Sequence, residues 1–105
     1  MPSPPEIVTI SLASGKLSVN PDPFVVHKHQ DQMVIWVCEQ GSKFNFTVEF
    51  ENGSPFYESQ FSESFPCSGL VQRNVLPDRS KPSRYKYTVR VETATPLDPG
   101  GEVDR

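Results

Sequence analysis

Residues 84–92, Arg84-Tyr85-Lys86-Tyr87-Thr88-Val89-Arg90-Val91-Glu92, alternate so regularly between apolar and polar side chains that they admit one local structure, a strand with one wet face. Successive side chains on a strand point to opposite sides of the sheet, so Tyr85, Tyr87, Val89 and Val91 share a buried face and the five polar residues share the other. Phe44 to Phe50 repeats the pattern, with Phe44, Phe46, Val48 and Phe50 on one side and Asn45, Thr47 and Glu49 on the other. Two such segments require a sheet packed against a core.

The rest of the chain has the same rhythm. Eleven prolines and six glycines break it into short apolar segments spaced as in a β-sandwich or barrel, and no segment has the period of an amphipathic helix. Strands are predicted at Glu6 to Leu12 (Val8, Ile10 and Leu12 inward), Leu17 to Val19, Phe24 to His29, Gln32 to Cys38 and Gly69 to Leu76. Asn20-Pro21-Asp22-Pro23 reads as a rigid loop, since each proline fixes its own φ and pushes the preceding residue to an extended conformation. Asn52-Gly53 suits a tight turn. Phe56 to Pro66 fits neither period and is expected to be a packed loop with one helical turn. Pro77 to Ser83 is expected to be a polar loop.

At 105 residues the chain has room for one domain with one core. Residues 1–105 are therefore expected to form a single β-sandwich with flexible ends at about 1–5 and 100–105. A net charge of -3 argues against general capture of nucleic acid or an anionic membrane, which needs a positive surface. The opening Met1-Pro2-Ser3-Pro4-Pro5-Glu6 lacks the basic and apolar regions of a signal peptide, so the expected location is cytoplasmic. There, Cys38 and Cys67 are expected to stay thiols, and the acceptor-like triplets at Asn45 and Asn52 read as coincidence.

The loop Asn20-Pro21-Asp22-Pro23 before Phe24-Val25-Val26, the strand Val34-Ile35-Trp36-Val37, the Phe44 to Phe50 strand, and Tyr85-Lys86-Tyr87-Thr88-Val89 with Asp98-Pro99 behind it together resemble a cupredoxin-like Greek-key β-sandwich. An immunoglobulin-like sandwich is the alternative. The resemblance implies a type 1 copper trap made of His, Cys, His and usually Met, yet no His follows Trp36, and the last predicted strand holds no Cys. Soft thiolate and imidazole ligands are what such a site needs, so the expectation is a copper-free domain with no cofactor.

Candidate functional residues are sparse. His27 and His29, at i and i+2 in a predicted strand, would face the same way and give two ligands for a weak transition-metal contact, with Met33 or Asp31 near. Catalysis has little to work with. No G-x-S-x-G elbow is present, and Cys67, the best reactive-thiol candidate, has only Arg73 to activate it, so no enzyme activity is expected. Arg79, Lys81 and Arg84 flank the Pro77 to Ser83 loop and could hold an acidic partner. In Met33-Val34-Ile35-Trp36-Val37-Cys38 both strand faces are apolar, and Met33, Ile35 and Val37 form the outer one. Either the three phenylalanines of 56–66 fold over that face, or a protein partner or second copy does, a homodimer included. The function expected from these residues is binding or assembly through surface complementarity.

Overall fold

In the computed structural model, residues 4–41, 43–77 and 80–105 are described. Among these described residues nine strands follow in order: β1 (Glu6–Ala13), β2 (Lys16–Asn20), β3 (Phe24–His27), β4 (Val34–Cys38), β5 (Phe46–Glu49), β6 (Gln60–Ser62), β7 (Ser83–Lys86), β8 (Thr88–Val91) and β9 (Gly100–Asp104). They form three small sheets, ordered β2-β1-β4, β3-β9-β7 and β6-β5-β8. The chain is an all-β domain of the small β-sandwich kind. Its radius of gyration is 13.4 Å, against the roughly 13 Å of one compact domain of this length.

The β1–β2 hairpin forms because Ser14 and Gly15 both take positive φ, 53° and 74°, the geometry whose twist matches the flanking strands. β1 then runs parallel to β4, placing Ile7 beside Ile35 and Val8 beside Trp36. Residues 84–92 do not form one strand. β7 pairs with β9 and β8 pairs with β5, and the break falls at Tyr87, whose N–H donates to Pro99 O at 3.1 Å. The alternation survives the break, so Tyr87, Val89 and Val91 all reach the core. Thr88 is the exception on the polar face, buried with its hydroxyl donating to Asp98 Oδ1 at 2.8 Å.

Each sheet contributes to one core: Val8, Ile10, Val34 and Trp36 from the first, Phe24, Val26 and Val103 from the second, and Phe46, Val48, Phe61, Val89 and Val91 from the third. An aromatic cluster lies at its centre. Trp36 stacks on Phe61 with centroids 5.1 Å apart, and Phe24 and Tyr87 approach it edge-on at 6.1 and 5.7 Å, geometries that suit the ring quadrupoles.

Four further expectations are corrected. The predicted strand from Phe24 to His29 ends at His27. Lys28–Gln30 form a 3-10 turn closed by Asp31 in the left-handed region at φ 51°, and the Gln32 side chain accepts the His27 N–H at 3.0 Å. Gly69 to Leu76 is not a strand. Val71 and Val75 are buried four residues apart, and Val75 N–H closes a turn onto Gln72 O at 3.2 Å. The Phe56 to Pro66 region carries strand β6 in place of a helical turn, and Ser62 and Phe65 close its end by two mutual backbone hydrogen bonds. The end at 100–105, expected to be flexible, supplies β9, the central strand of its sheet, with Val103 fully buried.

Candidate functional site: an apolar groove beside an open sheet edge

The outer face of β4 is where the sequence places an interaction surface, and the three phenylalanines do not cover it. Phe56 and Phe61 enter the core on the Trp36 side, at 0% and 4% exposure, while Phe65 stands 77% exposed. Ile35 and Val37 are half-buried, flanked by Met33 and by the partly exposed Ile7. What 66–68 does is close the edge of β4. Trp36 N–H donates to Pro66 O at 3.1 Å and Ser68 N–H to Val34 O at 2.8 Å, with Ile35 and Cys67 opposite each other. The Ser68 hydroxyl oxygen also accepts the Val34 N–H at 2.8 Å.

That closure creates a second edge. Residues flanked by the two cross-strand bonds of such a pair direct their own N–H and C=O away from the partner, so the Cys67 backbone faces away from β4. On the facing element, β6, Phe61 is opposite Val48 and Ser59 O accepts the Phe50 N–H at 2.8 Å. By the same alternation Gln60 turns its N–H and C=O outward from β5. β6 is the edge of its sheet. Between these two edges runs a groove of about 740 Å³, lined among others by Tyr57, Glu58, Gln60, Phe65, Cys67 and Leu70. Tyr57 (63%), Phe65 (77%) and Leu70 (48%) remain exposed on it. Tyr57 is held in place, since its hydroxyl accepts the Arg73 N–H at 3.2 Å.

Glu58 is the charged side chain in the groove lining, and Lys28 and Arg73 border the groove beyond Tyr57 and Leu70. From Phe44 through Gln72 the sequence contains Glu49, Glu51, Glu58 and Glu63, and no Asp, Lys, Arg or His. Glu51 is engaged by Arg90 at 2.8 Å, and Glu63 Oε2 accepts the Phe46 N–H at 3.2 Å. Glu58 is exposed in the groove wall.

The other candidates are dispersed. His29 lies in the 3-10 turn and His27 closes β3, its Nδ1 3.3 Å from Arg105 O, so the shared strand face expected for them does not exist. Among the described residues no group of three or more His, Cys, Asp or Glu could hold a metal ion. Lys81 and Arg84 are exposed at and before β7, with Arg84 Nε 3.9 Å from Glu102 Oε2; Arg79 lies outside the described residues. Both cysteines are free thiols, Cys38 with its Sγ 3.4 Å from Phe44 O and Cys67 with its Sγ 4.0 Å from Met33 Sδ. Among the described residues no helix is long and apolar enough to cross a membrane.

Compared with protein families, with characterised proteins and with solved structures, the chain matches none.

Proposed function

We propose that this chain is a copper-free, cupredoxin-like binding or assembly module that works by surface complementarity, holding an extended, partly apolar protein segment in the groove between β6 and residues 65–70. One observation carries this reading: three large apolar side chains, Tyr57, Phe65 and Leu70, stay exposed around a groove onto which the backbone groups of Gln60 and Cys67 turn, away from β5 and β4. Exposed apolar patches on small domains mark interaction sites, and an unpaired sheet edge is the template onto which an extended peptide adds. Main-chain hydrogen bonds then give affinity, and the apolar wall gives selectivity. The module forms no bonds and holds no cofactor, and its place of work is the reducing cytoplasm, where Cys38 and Cys67 stay thiols.

Selection of peptides from a random library on the folded chain tests this. The peptides retained are expected to be extended and to lose binding to a Tyr57→Ser, Leu70→Ser variant. Peptides retained equally by that variant would place binding elsewhere and overturn the reading.

A further inference from the structure

The turn that follows β5, Glu51-Asn52-Gly53-Ser54, carries a chemistry separate from the groove. It sets an asparagine amide next to a glycine nitrogen, and the two can react with each other. The backbone nitrogen that follows an asparagine can attack the side-chain amide carbon and close a five-membered succinimide ring. Three things govern how readily it does so: access of water to the amide, a hydrogen on the attacking nitrogen that no acceptor holds, and the absence of a side chain crowding that nitrogen.

The chain holds four asparagines, Asn20, Asn45, Asn52 and Asn74, and all four are exposed. Exposure does not separate them; the nitrogen that follows each one does. After Asn20 comes Pro21, whose nitrogen has no hydrogen. After Asn45 comes Phe46, which is buried and whose N–H donates to Glu63 Oε2 at 3.2 Å. After Asn74 comes Val75, also buried, with its N–H donating to Gln72 O at 3.2 Å and a stiff β-branched side chain beside it. Gly53 differs on every count. It is exposed, and among the described residues its N–H has no partner at hydrogen-bond geometry. At φ 113° nothing lies within 4 Å of the place where a side chain on it would begin, and a glycine has the backbone freedom that ring closure needs.

The turn is anchored on both sides of this pair and not at it. On one side Glu51 Oε1 accepts from Arg90 Nη2 at 2.8 Å. On the other, the Ser54 hydroxyl oxygen accepts the Phe56 N–H at 3.0 Å and its O–H donates to Glu58 O at 2.7 Å, while Ser54 O accepts from the Gln72 side-chain amide at 3.2 Å. None of these bonds uses the Asn52 side chain. A change there is confined to the turn, so the altered chain stays folded and accumulates.

We infer that Asn52 is a modification site, at which the folded protein converts its own asparagine into a mixture of aspartate and isoaspartate. Gly53 N bonds to Asn52 Cγ, the Cγ–Nδ2 bond breaks, and the Gly53 proton leaves with the side-chain nitrogen as ammonia. Water then opens the ring. Attack of water at Cγ gives aspartate with the backbone unaltered. Attack at the main-chain carbonyl carbon gives isoaspartate, whose backbone runs through Cβ and Cγ and is one carbon longer. Either product is one charge more negative than the -3 of the parent chain, with the new carboxylate next to Glu51. The isoaspartate form is a substrate for the class of enzyme that methylates its free α-carboxylate from S-adenosylmethionine. No step depends on what the groove binds.

Incubation of the full folded chain in warm, mildly alkaline buffer tests this, with peptide mapping by mass spectrometry and with an isoaspartyl methyltransferase and labelled S-adenosylmethionine to count isoaspartate. A more acidic form is expected to build up, faster as pH rises because the deprotonated nitrogen is the attacking species, and to map to Asn52. The reaction there should run at least about tenfold faster than at each of the other three asparagines, a barrier difference of about 1.4 kcal/mol. It should also run within about tenfold of its rate in a free peptide of residues 48–57, since the fold does not protect the site. An Asn52→Ser variant should give no acidic form on the same timescale. The aged wild type should still unfold cooperatively, with a midpoint within about 4 °C of the fresh protein, as for other exposed surface changes. Asn52 that stays intact in the folded chain while the peptide reacts overturns the inference, as does an acidic form that persists in the Asn52→Ser variant. Loss of cooperative unfolding on ageing would overturn the confinement of the change to the turn.

Discussion

The ring of Phe24 occupies the space in which a side chain on Gly101 would begin. Phe24 is fully buried and touches Trp36, Phe56 and Tyr87, so it has no empty volume to retreat into. The glycine is there for packing and not for its backbone freedom. Gly101→Ala is expected to cost about 1–3 kcal/mol, the range for forcing extra carbon into a filled core. The neighbouring Gly100→Ala meets Pro23 Cβ at an ordinary 3.5 Å and is expected to cost less. Urea midpoints of the two variants check this; equal losses would show that the Phe24 contact is not what matters.

That contact also explains why β9 was hidden in the sequence. Gly100-Gly101-Glu102-Val103-Asp104 has one apolar side chain and two glycines, so it shows no alternation and reads as a loose end. Its burial is supplied by Phe24, 77 positions away. Segments whose own side chains carry the pattern were legible: Val8 and Ile10 in β1, Val34 and Trp36 in β4, and Phe46 and Val48 in β5 all face inward as their spacing predicts. Residues 69–76 misled for the opposite reason. Their apolar side chains suggest a strand, but the Gln72 side-chain amide binds Ser54 O at 3.2 Å and also Phe56 O, so a turn replaces it. The groove was legible only in parts. Its aromatic residues and Glu58 are visible in the sequence, and their meeting is a product of the tertiary fold.

Ser68 is buried, and its hydroxyl oxygen accepts the Val34 N–H at 2.8 Å while the hydroxyl donates to Gly69 O at 2.9 Å. This side chain stands in for the backbone partner that a full strand at 66–68 would offer β4. Ser68→Ala is expected to destabilise by about 1–3 kcal/mol, because it strands a buried backbone N–H. Hydrogen exchange at Val34 should quicken in the variant. Unchanged exchange there would mean that the hydroxyl is dispensable to the β4 edge.

Tyr87 makes the fold sensitive to alkali. Burial raises its hydroxyl pKa above the ordinary value, with the Trp36 indole partly offsetting the rise and Asp22 adding to it; burial also raises Tyr85. An unfolded tyrosine ionises near 10. Above that pH the unfolded chain gives up a proton that the folded chain keeps, so stability is full below about 10 and falls as pH climbs beyond it. Neither Tyr87 Oη nor Trp36 Nε1 has a hydrogen bond of normal geometry, so Tyr87→Phe is expected to cost less than about 1 kcal/mol at neutral pH. It should also flatten the alkaline decline. Urea titrations between neutral and strongly alkaline pH decide the matter, and parallel decline in wild type and variant would refute the assignment to Tyr87.

A chain ending at Pro99 is expected not to fold. It would lose four parallel pairs with β3 and four antiparallel pairs with β7, leaving two strands of the second sheet without the one that joins them. It would also lose Val103 from the core and the surface on which Phe24 packs. A milder change, Val103→Ala, keeps the strand and removes two buried carbons at about 0.8 kcal/mol each plus a cavity term, so a loss of about 2–3 kcal/mol is expected. Circular dichroism and the cooperativity of thermal unfolding check both. A truncated chain that still unfolded in one sharp transition would show that the β3-β9-β7 sheet is an accessory to the domain and not part of its core.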